Sequence, residues 1–117
     1  MSIDHLLAVV PVSDTQAARR WYEALMGRPA DNHPMETLFE WRVTETGWMQ
    51  VFHDPGRAGS TLLNFAVDDL DEQATQLAAR GLVLSGIESA DKGVRIASIT
   101  DPDGNRISFI GGFRVVY

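Results

Sequence analysis

The chain of 117 residues contains no cysteine, only 10 basic side chains and no long hydrophobic run. Without cysteine the protein has no disulfide, no thiolate metal ligand and no cysteine nucleophile. The 16 acidic residues leave a net charge of −6, which argues against nucleic acid or an anionic membrane as a partner. The sequence also lacks the run of about 20 apolar residues that crosses a bilayer and the basic segment that opens a signal peptide. We therefore expect a cytoplasmic protein with no membrane partner.

The remaining composition is that of an ordinary globular domain. Hydrophobic residues make up 44% of the chain and charged residues 22%. This length corresponds to a single domain over residues 1–117. Within it, a loop rich in proline, glycine and serine at 54–60 separates a first module of about 1–54 from a second of about 61–117.

The two modules begin with the same pattern. Each opens with an apolar strand, which is followed by an aspartate that can cap a helix, Asp14 or Asp69. Apolar residues then recur with helical spacing until a glycine that can end the helix, Gly27 or Gly81. The aspartates lie 55 residues apart and the glycines 54 apart, so the sequence indicates an internal repeat.

The pattern after each helix predicts strands. In the first module, alternating residues predict a hairpin in which Glu40 and Arg42 face solvent. In the second module, further strands are predicted over 82–88, 93–100 and 105–110. A module of about 55 residues has one helix, which can cover only one face of its sheet. We therefore predict an α+β fold of two βαβββ modules in tandem, forming a curved mixed sheet around a cavity.

Three sequence features together resemble a known superfamily. They are the Val-x-Asp segment before each helix, the pair Trp21-Tyr22, and the turn Asp101-Pro-Asp-Gly-Asn105 before the last strand. The chain from about residue 3 to 110 is similar to the vicinal oxygen chelate superfamily, the glyoxalase/bleomycin resistance/dioxygenase group. The turn is the sharpest of these motifs, since a capping aspartate is common by itself.

The resemblance implies four inward positions at which metal-dependent members carry their ligands. In this sequence they hold Leu7, Gln50, Leu62 and Ser108. Leucine offers no lone pair, and a catalytic divalent site needs about three protein donors. We therefore expect neither a metal nor another cofactor. One alternative stays open, in which His5, two residues before Leu7, retains a metal together with Gln50.

The hairpin also supplies the residue types of a small-molecule pocket, which are flat apolar walls and a few polar groups. Four aromatic residues and one amide are assigned to its inward face: Phe39, Trp41, Trp48, Gln50 and Phe52. In the second module Leu62, Asn64 and Ser108 are assigned to the same interior. The rings could instead fill the core, so both interpretations stay open.

These features favour a metal-free binding protein that resembles bleomycin-resistance proteins. By this hypothesis a homodimer sequesters a small aromatic or amphipathic ligand, and the acidic net charge favours cationic ligands. The first alternative is a metal-dependent lyase, isomerase or dioxygenase of the same superfamily. The second is an interaction module whose own side chains fill the pocket.

Overall fold

The computed structural model describes residues 2–117, so Met1, at the start of the first predicted strand, lies outside the described residues. The described chain forms an α+β fold of two tandem βαβββ modules, as predicted. In chain order the elements are β1 Leu6–Val12, α1 Thr15–Met26, β2 Asn32–Met35, β3 Leu38–Arg42, β4 Gly47–His53, β5 Leu62–Val67, α2 Leu70–Ala79, β6 Glu88–Ser89, a 3-10 turn Asp91–Gly93, β7 Arg95–Thr100 and β8 Arg106–Gly111.

Both helices begin at the predicted caps. The side chain of Asp14 accepts from the backbone N–H of Ala17 at 3.1 Å, and Asp69 accepts from Glu72 at 3.0 Å. Helix α1 ends at Gly27, whose φ of 73° is the left-handed conformation that glycine adopts without strain. Within residues 2–117, neither helix has the length and apolar character that a bilayer crossing requires.

The eight strands form two four-stranded mixed sheets. Their orders are β1-β4-β3-β2 and β5-β8-β7-β6, with β1 parallel to β4 and β5 parallel to β8. One face of each sheet packs against its helix, and the buried side chains of both modules form one core. The opposite face of each sheet carries no helix, and we call the two uncovered surfaces the open faces.

One predicted strand is wrong. Residues 82–88 were expected to form a strand, but only Glu88 and Ser89 pair with β7. The physical reason lies at Ser85, whose side-chain oxygen accepts from the backbone N–H of Ser98 at 2.8 Å. A side chain thus takes the place of a backbone carbonyl, and the regular ladder does not extend through this segment.

The turn Asp101–Asn105 joins the second module to the first, and the side chain of Asn105 makes four of its hydrogen bonds. Its Oδ1 accepts from the backbone N–H groups of Gly59 and Thr61, both at 3.0 Å. Its Nδ2 donates to the carbonyl of Pro11 and to the carboxylate of Asp101, both at 2.8 Å. This fully buried amide therefore has both its oxygen and its nitrogen hydrogen-bonded, and the bond to Pro11 reaches the first module.

Asp101 anchors the same turn to helix α1. Its buried carboxylate accepts from the Tyr22 hydroxyl at 2.8 Å and from the backbone N–H groups of Asp103 and Asn105, both at 2.9 Å. Burial raises the pKa of Tyr22, and the neighbouring Asp101 carboxylate raises it further. Asp103 in turn accepts from the backbone and hydroxyl of Ser13. The turn that carried the family resemblance is thus a structural connection between the modules.

Candidate functional site

The open face of the first module is apolar and aromatic. Strand pairing sets Leu7 beside Trp48 and Leu38 beside Phe52. Leu7 is 50% exposed and Phe52 is 37% exposed. Large side chains that are exposed together on one sheet face are unusual for a surface that contacts only water.

Phe39 and Trp41 do not belong to this face, which corrects the predicted grouping of four aromatic residues. Phe39 pairs with Val51 and Trp41 with Met49, and both rings lie in the core against α1, with 3% and 0% exposure. The Trp41 indole N–H is also satisfied there, because it donates to the carbonyl of Arg28 at 3.0 Å. These two rings fill the core.

The physical reason for this error is the hairpin register. Directly opposed residues of an antiparallel pair point to the same side of a sheet. Here Glu40 opposes Gln50 and Arg42 opposes Trp48, so even-numbered residues of both strands share the open face. The predicted grouping of the odd-numbered Phe39 and Trp41 with Trp48 would require a register that differs by one residue.

The polar centre of this face is a pair of side chains, Gln50 and Glu40, and only Gln50 was predicted to lie there. Gln50 Nε2 donates to Glu40 Oε2 at 2.6 Å, and both side chains are partly buried. Asn32 Nδ2 also donates to Glu40 Oε1, at 3.4 Å. Glu40 was expected to be a solvent-facing residue, and only the hairpin register could have placed it beside Gln50.

The open face of the second module is polar at its centre. Asn64 pairs with Ser108 along the sheet, and the hydroxyls of Ser108 and Ser98 are 2.8 Å apart. Leu62 pairs with Arg106 and is 78% exposed. A cavity of about 470 Å³ lies on this face, and Ser98 and Arg106 are among the residues that line it.

The structure brings two of the predicted site residues together across the modules. Trp48 and Asn64 both line a small, mostly apolar cavity of about 200 Å³ between β1 and β5. Leu7 and Leu62 were expected to face one enclosed interior, but each is at least half exposed. In a single chain the two open faces therefore do not enclose an interior.

The four positions that hold ligands in metal-dependent relatives do not fit a metal ion here. Leu7 and Leu62 have no donor atoms, Gln50 is hydrogen-bonded to a carboxylate, and Ser108 is paired with another hydroxyl. His5 precedes β1 and lies beside Asp4 at the surface. Across residues 2–117, no three histidine or acidic side chains are grouped so that they could hold a metal.

Comparisons with known proteins agree with this architecture. A family model described as the Glyoxalase/Bleomycin resistance protein/Dioxygenase superfamily matches residues 2–109. The duplicated α+β fold defines the class, and the chain belongs to this superfamily. A comparison with curated proteins gives no match.

Three solved structures illustrate the range of similar proteins. A glyoxalase/bleomycin resistance protein from Catenulispora Acidiphila DSM 44928 is 33% identical with a TM-score of 0.86, covering 92% of this chain and 96% of that chain. TnmS3, an antibiotic binding protein from Streptomyces sp. CB03234, is 27% identical with a TM-score of 0.77, covering 95% and 98%. A lactoylglutathione lyase from Agrobacterium tumefaciens, 19% identical with a TM-score of 0.75 over 96% and 95%, shares the fold.

Proposed function

We propose that this protein is a cytoplasmic, metal-free binding protein that sequesters a small aromatic or amphipathic molecule. The observation that carries the proposal is the partly exposed apolar and aromatic surface of the first open face, with the Gln50–Glu40 pair at its centre. Apolar walls with a few fixed polar groups are the usual composition of small-molecule sites. The similarity to an antibiotic binding protein supports the same class of function.

The ligand would lie against the open faces of a single domain, residues 1–117, whose modules span about 1–54 and 61–117. Phe39 and Trp41 are excluded from the contact surface, because they are buried on the helix side of the sheet. The proposed contacts are the site residues on the open faces: Leu7, Trp48, Gln50, Phe52, Leu62, Asn64 and Ser108.

A second copy of the chain would complete the cleft. Leu7 and Leu62 leave apolar surface in water in the single chain, which favours association with a matching surface. We therefore propose a homodimer in which an open face of one copy lies opposite an open face of the other.

Sedimentation of the Leu62→Glu variant tests the dimer. A charge buried in the interface should shift the protein from dimer to monomer. Ala79→Glu, an exposed position on α2, is the matched control and should leave the dimer intact. A wild-type protein that sediments as a monomer at all concentrations would contradict the proposed dimer.

Calorimetric titration with 1-naphthalenemethanol, a neutral planar probe, tests the binding function. We expect binding by the wild type and weaker binding by Trp48→Leu, because the substitution removes an aromatic wall of the site. Trp21→Leu, on helix α1 outside the open faces, should bind as the wild type does. Absence of binding to this probe and to a broader panel of aromatic compounds, with an unchanged Tm, would contradict sequestration.

Metal analysis of the purified protein separates this proposal from the enzyme alternative. We expect no stoichiometric divalent ion, because leucine occupies two of the four positions that hold metal ligands in metal-dependent relatives. A stoichiometric ion whose removal abolishes an activity would instead support a lyase, isomerase or dioxygenase of the superfamily.

A further inference from the structure

Glu40 is a carboxylate without a cationic partner at the polar centre of the first open face. Among residues 2–117, no lysine, arginine or histidine nitrogen lies within ion-pair distance of it. The basic residue two positions along the strand, Arg42, is held elsewhere, because its guanidinium donates to the Glu45 carbonyl at 3.0 and 2.6 Å. The charge of Glu40 is therefore not neutralised within the chain.

The hydrogen bond between Gln50 and Glu40 determines which of their polar atoms remain available to bind a ligand. Gln50 Nε2 donates one of its two N–H groups to Glu40, so the amide keeps a second N–H donor and its Oε1 acceptor. The Glu40 carboxylate can only accept. The pair thus presents a neutral amide and a negatively charged carboxylate, in a position bordered by Val9 and Leu38.

The corresponding site of the second module differs in charge. There the paired strands β7 and β8 place Ser98 opposite Ser108, as Glu40 lies opposite Gln50. Hydroxyls both donate and accept and carry no charge, so this centre does not select a ligand by charge. Of the two paired centres, only that of the first module carries a charge.

We propose that Glu40 is the specificity-determining residue of the cleft and that it selects ligands in which an aromatic group carries a positively charged N–H donor. This inference rests on the proposed binding function. The aromatic part lies against Trp48 and Phe52, and the ammonium or guanidinium group donates to the Glu40 carboxylate. A charge-assisted hydrogen bond is stronger than a neutral one. Because Glu40 is partly buried, salt screens its attraction for a cation less than it would at a fully exposed site.

A pair of probes with the same shape and different charge tests the assignment by calorimetry. The wild type should bind 1-naphthalenemethylammonium about tenfold more tightly than 1-naphthalenemethanol. In Glu40→Gln this preference should fall to about twofold or less, while the affinity for the alcohol stays unchanged. The Gln side chain keeps an acceptor for Gln50, so the fold and the apolar wall are preserved.

Glu45→Gln removes the same charge from the exposed hairpin turn and serves as the control. It should keep the tenfold preference, because the net charge changes equally while the open face does not. If Glu40→Gln retains the preference, or if the wild type binds both probes equally, the assignment to Glu40 is wrong although the binding function stands. If neither probe binds and the broader panel of aromatic compounds does not bind either, the proposed function itself fails and this inference fails with it.

Discussion

The two modules have the same framework and different open faces. At the centre of the first open face, Gln50 donates to a carboxylate, that of Glu40. At the equivalent strand positions of the second, Ser108 and Ser98 pair through their hydroxyls. Both centres are hydrogen-bonded pairs across neighbouring strands, but only one is charged. Duplication thus preserved the position of a polar pair and changed its chemistry.

The positions beside these centres have diverged in the same way. Trp48 pairs with Leu7 in the first module, and Arg106 pairs with Leu62 in the second. The first-strand leucines are the same, whereas their neighbours are an aromatic ring and a guanidinium. One face can therefore contact the apolar end of an amphipathic ligand while the other contacts its polar end. Two identical faces would not discriminate between the ends.

The largest expected effect is a loss of stability, and it should distinguish the core side of the β3–β4 hairpin from its open face. Trp41→Ala should lower the free energy of unfolding by about 3–5 kcal/mol, because it leaves a large cavity in the core. Trp48→Ala should cost much less stability and should weaken binding of the naphthalene probes. Chemical denaturation and calorimetry measure the two effects. Similar stability losses in the two variants would show that Trp48 is also a core residue.

A somewhat smaller effect is expected where the modules are joined. Asn105→Ala removes hydrogen bonds to both modules and leaves the Pro11 carbonyl and the Thr61 N–H without their partner. We expect a loss of about 3 kcal/mol in the free energy of unfolding. Asn32→Ala is the matched control, since Asn32 is exposed and makes one side-chain bond of 3.4 Å to Glu40. It should change stability by about 0.5 kcal/mol or less.

The framework could be predicted from the sequence because its signals are local. A capping aspartate such as Asp14 and a left-handed glycine such as Gly27 act within one turn of a helix. The repeat then made the arrangement of the second module predictable from the first. The segment after Gly81 was the exception, because a contact between Ser85 and the distant Ser98 interrupts the expected ladder.

The candidate site could be predicted only in part, because it depends on contacts between strands. The open-face position of Gln50 followed from strand alternation, and its partner Glu40 required the register of the hairpin. The same register places Trp41 in the core and Trp48 on the open face. The connection through Asn105 spans 94 positions to Pro11, and no local pattern indicates it.

The smallest expected effect concerns Tyr22, whose hydroxyl ties helix α1 of the first module to Asp101 of the second. Tyr22→Phe should lower the free energy of unfolding at neutral pH by about 1.5–3 kcal/mol, the usual cost of losing one hydrogen bond to a charged group. Chemical denaturation of the two proteins measures this loss. A difference near zero would mean that the hydroxyl does not stabilise the connection between the modules.

The pH dependence sharpens the same test. Burial and the Asp101 carboxylate raise the pKa of Tyr22, so the folded protein keeps this proton above the ordinary tyrosine pKa of about 10, whereas the unfolded chain loses it. The unfolded state then binds fewer protons, and the free energy of unfolding should fall above pH 10 by up to about 1.4 kcal/mol per pH unit. Tyr22→Phe should lack this decline. Tyr117 and Lys92, the only other tyrosine and the only lysine, are present in both proteins, so their contributions cancel in the comparison. Parallel stability curves for the two proteins between pH 9 and 11 would show that the Tyr22–Asp101 contact does not hold the tyrosine protonated.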